Sequence, residues 1–106
     1  NILSGQVTYA VRDTEYSNNE IKKDDIIGLS KGDILATGKD INSVALDLIG
    51  EMINDGISII SIFYGDNIDE EKARELSSLL EEKYSDIDIE LLFGGQPLYY
   101  YIFSLE

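Results

Sequence analysis

Residues 57–64 read ISIISIFY, a run that is apolar on both alternating faces and interrupted only by Ser58 and Ser61. A stretch this short and this rich in isoleucine and aromatic residues is expected to be a strand. Its lack of a polar face places it centrally in a sheet covered on both sides. Helical patterns enclose it. Upstream, Ile41, Val44, Ala45, Leu48, Ile49, Met52 and Ile53 recur at steps of three and four behind Asp40, a capping residue. Asn54-Asp55-Gly56 ends that helix, with Gly56 supplying the left-handed residue past the last turn. Downstream, Gly65-Asp66-Asn67 turns the chain, and Asp69 is expected to cap a second helix reaching about Tyr84. Its stripe is Ala73, Leu76, Leu80 and Tyr84 with Leu79 alongside, and Glu70 and Glu71 suit the positive end of the helix dipole.

Outside this unit the period changes to two. Residues 6–12 (QVTYAVR) alternate, with Val7, Tyr9 and Val11 on one face. Residues 13–25 are polar around Ser17-Asn18-Asn19 and read as an exposed loop or a wide hairpin end. Residues 26–29 and 33–37 are short apolar runs about Ser30-Lys31-Gly32, a hairpin in which Gly32 accepts positive φ. Ile87, Ile89, Leu91 and Phe93 alternate with Asp88 and Glu90, a strand wet on one face. Gly94-Gly95-Gln96-Pro97 breaks it, and residues 99–105 (YYYIFSL) form the last strand. Two helical crossovers require parallel strands. The expected fold class is α/β, a single-domain sheet over residues 1–106 with parallel core strands, antiparallel edge and hairpin strands, and two main helices.

Composition narrows the function. Of 106 residues 43% are hydrophobic, enough for a globular core rather than a disordered chain. No apolar run approaches the ~20 residues of a membrane helix. No basic segment followed by an apolar one opens the chain, so no signal peptide is expected, and a start at Asn1 reads as a processed or excised piece. A cytoplasmic location is expected. With no Cys and no His, disulfides, zinc ribbons, iron–sulfur clusters, thiol nucleophiles and a Ser-His-Asp triad are excluded. Twenty-one acids against eight bases give a net charge of −13. That field opposes nucleic acid and membrane surfaces and attracts a basic protein. Residues 1–53 hold nine acids and five bases, residues 54–106 twelve and three. The excess reads either as a solvated face that maintains solubility or as an electrostatic docking surface.

Three segments carry candidate chemistry. Gly65-Asp66-Asn67 sits where an open α/β sheet binds ligands, at a strand's carboxyl end before a helix. Asp66, Asp69, Glu70 and Glu71 disfavour an anion there and show no regular metal spacing, so capping is the preferred account. No Gly-rich loop stands beside a Lys, and no nucleotide binding is expected. Thr8, Tyr9, Arg12, Asp13 and Thr14 form a polar cluster in which Arg12 either pairs with Asp13 or another acid, or orients a partner's carboxylate. Gly94-Gly95-Gln96-Pro97 with Tyr99, Tyr100 and Tyr101 is either a special turn before ordinary strand aromatics or a recognition surface.

TYAVRDT at 8–14, KGDI at 31–34, IFYGDN at 62–67 and GGQPLYYYIFSLE at 94–106 together resemble the C-terminal domain of the bacterial fatty acid kinase A protein, also labelled dihydroxyacetone-kinase-like. The resemblance spans essentially the whole chain. It implies an N-terminal kinase domain that binds ATP and magnesium, a middle domain with further catalytic residues, and a C-terminal domain of DegV-like fold. The last helps engage a separate fatty-acid-binding B subunit, itself DegV-like. That partner presents an acyl carboxylate for phosphorylation, and the acyl-phosphate enters phospholipid synthesis. The parent protein is expected to be a homodimer. On this reading the chain is the C-terminal domain of a larger kinase subunit, with no catalytic, cofactor-binding or metal residue of its own. One domain of this size leaves little room for an acyl tunnel, so the fold is expected without its lipid. Expected partner-binding residues are Arg12, Asp13, Gly94, Gly95, Gln96, Pro97, Tyr99 and Tyr100. The alternatives are a free-standing regulatory domain that senses a small ligand, and a small enzyme using a carboxylate pair such as Asp66 with Asp69.

Overall fold

The structure, a computed structural model, describes residues 2–106. Its elements in chain order are β1 (Leu3–Tyr9), β2 (Thr14–Tyr16), β3 (Asn19–Ile21), β4 (Ile26–Ser30), β5 (Asp33–Gly38), α1 (Ile41–Met52), β6 (Ile59–Tyr64), α2 (Glu70–Lys83), β7 (Asp88–Phe93) and β8 (Tyr101–Leu105). Six strands make one mixed sheet in the order β5-β4-β1-β8-β6-β7, and β2 and β3 pair separately. The α/β class, the mixed strand directions and the two helices agree with the sequence.

The distribution of strand directions differs from the expected parallel core. Among the described residues β6–β7 is the sheet's parallel pair, and it lies at an edge. The crossover through α2 does set a parallel neighbour beside β6. The crossover through α1 instead joins β5 to a strand on the far side of β4, β1 and β8, so its two strands run the same way without touching. The C-terminal strand β8 fills the gap, antiparallel to both β1 and β6.

Nor is β6 covered on both faces. Ile60, Ile62 and Tyr64 are buried with Val44, Leu48, Ile49, Leu76 and Leu80 of the helices, whereas Ile59, Ser61 and Phe63 on the opposite face are half-buried. Both helices pack on one face of the sheet. The apolar residues on the other side of β6 arise from cross-strand rows instead, Phe63 lying between Ile102 of β8 and Leu92 of β7. Over part of that second face folds the segment expected as a loop or a wide hairpin end. It is the short hairpin β2–β3, turned tightly by Ser17 and Asn18 at φ 50° and 66°. Its Ile21 is buried and lines a small cavity with Ile27 and Ile34, and Tyr16 Oη donates to Asp33 Oδ1 at 3.0 Å.

Local chemistry sets the helix ends. Asp40 caps α1, its carboxylate accepting the Ser43 N–H at 2.9 Å, and this bond holds the Asp40 carboxyl below its usual range. Asp69 occupies the same position at α2, yet its carboxylate makes no capping bond. The start of α2 carries Glu70 and Glu71 toward the helix dipole, and Glu70 pairs with Arg74 one turn on. Gly56 is not left-handed; the Asn54 side chain accepts its N–H at 2.8 Å and turns the chain. In the β4–β5 hairpin both Lys31 and Gly32 take positive φ, 55° and 79°, as a two-residue turn demands.

One buried polar bridge joins both helices to the sheet. Tyr101 Oη donates to Asn42 Oδ1 at 2.7 Å, and Asn42 Nδ2 donates to the Lys72 carbonyl at 3.1 Å. No helix of the described residues is long and apolar enough to cross a membrane.

Candidate functional site

At one end of the sheet the carboxyl ends of β1, β6 and β7 meet the start of β8. The antiparallel pairing of β1 with β8 brings this about. Thr8 Oγ1 donates to the Leu98 carbonyl at 2.7 Å, the Tyr100 N–H donates to the Val7 carbonyl at 2.8 Å, and the Tyr9 and Tyr100 rings lie 6.0 Å apart. The Gly94-Gly95-Gln96-Pro97 turn is bound just as tightly to the end of β6. The N–H groups of Gly94 and Gly95 donate to the Tyr64 carbonyl at 2.9 and 3.1 Å, and the Gln96 amide donates to the carbonyls of Phe63 and Tyr99. In return Asp66 N–H donates to the Gln96 carbonyl and Gly65 N–H to that of Tyr100. Two turns that the sequence shows as separate are thus one hydrogen-bonded rim.

The rim has little freedom. Gly95 and Leu98 hold φ of 69° and 71°, and for leucine that value persists only where its surroundings impose it. A methyl group on Gly65 would run into the carbonyl oxygens of Tyr99 and Gln96. Gly65→Ala should therefore cost about 1–3 kcal/mol. It should also speed amide exchange at Gly94, Gly95 and Asp66. An unchanged denaturation midpoint with unchanged exchange would show that the two turns are not interlocked.

The expected partner-binding residues divide by role. Gly94, Gly95 and Gln96 shape the turn and spend their donors inside it, with Pro97 fixing the exit. Tyr99 is 37% exposed beside Leu98 at 61%, Tyr100 is half-buried against Tyr9, and Tyr101 is wholly buried. Burial, then the neighbouring Tyr9 and Asp24, raises the Tyr100 hydroxyl above its ordinary pKa. The Asp13 carboxylate is engaged locally, accepting the Lys23 N–H at 2.8 Å. Arg12 is exposed and makes no ion pair among the described residues. It lines a cleft of about 270 Å³ with Tyr9, Thr14 and Ile27, so Tyr9 connects it to Tyr100. The sequence marked Gly65 and Tyr9 in separate segments without joining them to the Gly94–Pro97 turn, and it gave no sign of Leu98. A left-handed leucine has no local signature, and Thr8 and Leu98 stand 90 positions apart. Among the described residues no three carboxylates gather as a metal ion would require.

A family model for the FakA-like C-terminal domain of fatty acid kinase matches residues 1–106. The chain belongs to this family. Protein YloV of Bacillus subtilis (strain 168) is 43% identical over 105 residues, covering 99% of this chain, and protein SAR1202 of Staphylococcus aureus (strain MRSA252) is 37% identical over all 106. The chain spans 19% of the length of each. The resemblance read from the four sequence segments is borne out over the whole chain. Three of the segments supply the rim of this FakA-like domain: Thr8 and Tyr9 from TYAVRDT, Gly65 and Asp66 from IFYGDN, and residues 94–100 from GGQPLYYYIFSLE. KGDI forms the β4–β5 turn at the opposite end of the sheet.

Proposed function

We propose that the chain is the non-catalytic C-terminal domain of a fatty acid kinase and that its rim docks a fatty-acid-binding protein. A kinase part outside this chain, binding ATP and magnesium, phosphorylates the acyl carboxylate which that protein carries. The convergence of three family-like segments on one rigid turn supports this reading. The rim presents Tyr99 and Leu98 in a fixed shape, and Arg12 leaves a planar donor fork free for a carboxylate. The −13 charge steers a basic partner from a distance and chiefly raises the association rate.

Surface-plasmon kinetics against the cognate fatty-acid-binding protein test it. Raising salt from about 50 to about 500 mM shortens the Debye length from about 14 to about 4 Å and should slow association markedly. Tyr99→Ala should mainly speed dissociation, by about thirtyfold if the ring is a hot spot of about 2 kcal/mol. Binding that ignores both salt and Tyr99 would remove the rim and the charge from the interface.

A further inference from the structure

The outer strand β7 is a free edge of unusual regularity. It pairs on one side with β6 in an unbroken register from Asp88 to Phe93, and contains neither Pro nor Lys. The opposite edge is different: the β4–β5 pairing carries a register shift at Gly28 and Leu29, and the β2–β3 hairpin crowds it. Bulges of that kind blunt an edge. The N–H of Asp88 donates to the Ser58 carbonyl and that of Gly94 to the Tyr64 carbonyl, both toward β6. Alternation then turns the N–H and C=O groups of Ile89, Leu91 and Phe93 outward, where a further strand would meet them.

The side chains on this edge specify what such a strand must carry. Ile89, Leu91 and Phe93 lie on the helix-covered face, where Phe93 is 68% exposed. Asp88 and Glu90 lie on the opposite face, and the cleft of about 520 Å³ that they line at this end of the strand also takes in Glu81 of α2, from the helix-covered side, and no base. We propose that the outer edge of β7 is a strand-addition site for an extended partner segment of alternating basic and apolar residues. Its backbone pairs with the outward groups of Ile89, Leu91 and Phe93. Its basic residues face Asp88 and Glu90, and its apolar ones continue the row of Ile89, Leu91 and Phe93. The carboxylates work against a second copy as occupant: self-pairing centred on Glu90 sets like charges opposite, and each chain brings −13. The site is independent of the docking reading above, and its test needs no fatty-acid-binding protein.

The test adds a short peptide of alternating lysine and valine to the chain, with an alternating glutamate and valine peptide as control, and follows amide exchange residue by residue. The lysine peptide should slow exchange at Ile89, Leu91 and Phe93 by at least about tenfold, and the control should not. Leu91→Pro removes one outward donor at a position where an edge strand tolerates proline, and should weaken binding at least about tenfold. Asp88→Lys combined with Glu90→Lys keeps every backbone donor and should transfer the preference to the glutamate peptide. Protection spread over α2 instead of β7, equal response to both peptides, or self-association through β7 without peptide would each overturn the proposal.

Discussion

Ile60→Ala and Ile62→Ala will each lower the free energy of unfolding by about 2–5 kcal/mol, measured by urea denaturation. Both side chains are wholly buried between the sheet and the helices, so truncation removes apolar burial and leaves a cavity that close-packed neighbours cannot fill. Phe63 provides the control for a sheet covered on one face. It is larger than Ile62 but half-buried on the open side, and Phe63→Ala should cost no more than about 1–2 kcal/mol. Asp88→Ala and Glu90→Ala, exposed on β7, should stay within about 0.5 kcal/mol. Equal costs at Ile62 and Phe63 would mean that the second face of β6 is covered as well.

The next largest effect is expected at the buried bridge. Asn42→Ala removes the nearer acceptor of the Tyr101 hydroxyl and a donor to the Lys72 carbonyl, leaving between them only the long 3.5 Å contact, a loss of about 1–3 kcal/mol. Tyr101→Phe strands the Asn42 oxygen at similar cost, and the double variant should lose less than the sum of the two. The bridge also carries a pH signature. Burial, then the charges of Glu75 and Asp40, pushes the Tyr101 hydroxyl well above its ordinary value of 10.0. The unfolded chain ionises this group near 10 while the folded chain holds it neutral. The associated stability is therefore complete below that pH and falls as pH rises beyond it. Urea midpoints at about pH 8 and about pH 11 should differ less in Tyr101→Phe than in the parent chain. Tyr100, raised in the same direction, leaves some of the slope in place. An identical alkaline loss in both chains would mean that Tyr101 is not shielded.

Much of the rim stands on residues that the sequence marked one segment at a time. The Gly94-Gly95-Gln96-Pro97 turn was visible as a break in strand pattern, because glycine and proline punctuate a chain by their own dihedral limits. Its partners were not visible. The Gln96 amide looks like a surface group until the Phe63 and Tyr99 carbonyls are beside it. Arg12 and Asp13 look like an ion pair by adjacency, but Asp13 serves the Lys23 backbone instead and the guanidinium makes no ion pair among the described residues. Tyr99, Tyr100 and Tyr101 are chemically alike in the sequence and range from exposed to wholly buried in the fold.

By itself the sequence determined the two helices, the strand between them, the hairpin about Lys31-Gly32 and the family. A period of 3.6 or 2 records locally which side of each segment must leave water, and turn residues record where it stops. The tertiary structure alone decided which strands are neighbours, that β8 enters the middle of the sheet, and that both helices share one face. These outcomes depend on pairings between residues far apart in the chain, such as Gln6 with Ile102, and the apolar pattern of a strand does not say which partner will cover it. An apolar position can be satisfied by a helix above it or by a cross-strand neighbour beside it. Residues 57–64 use both, Ile62 packing beneath the helices and Phe63 lying between Ile102 and Leu92.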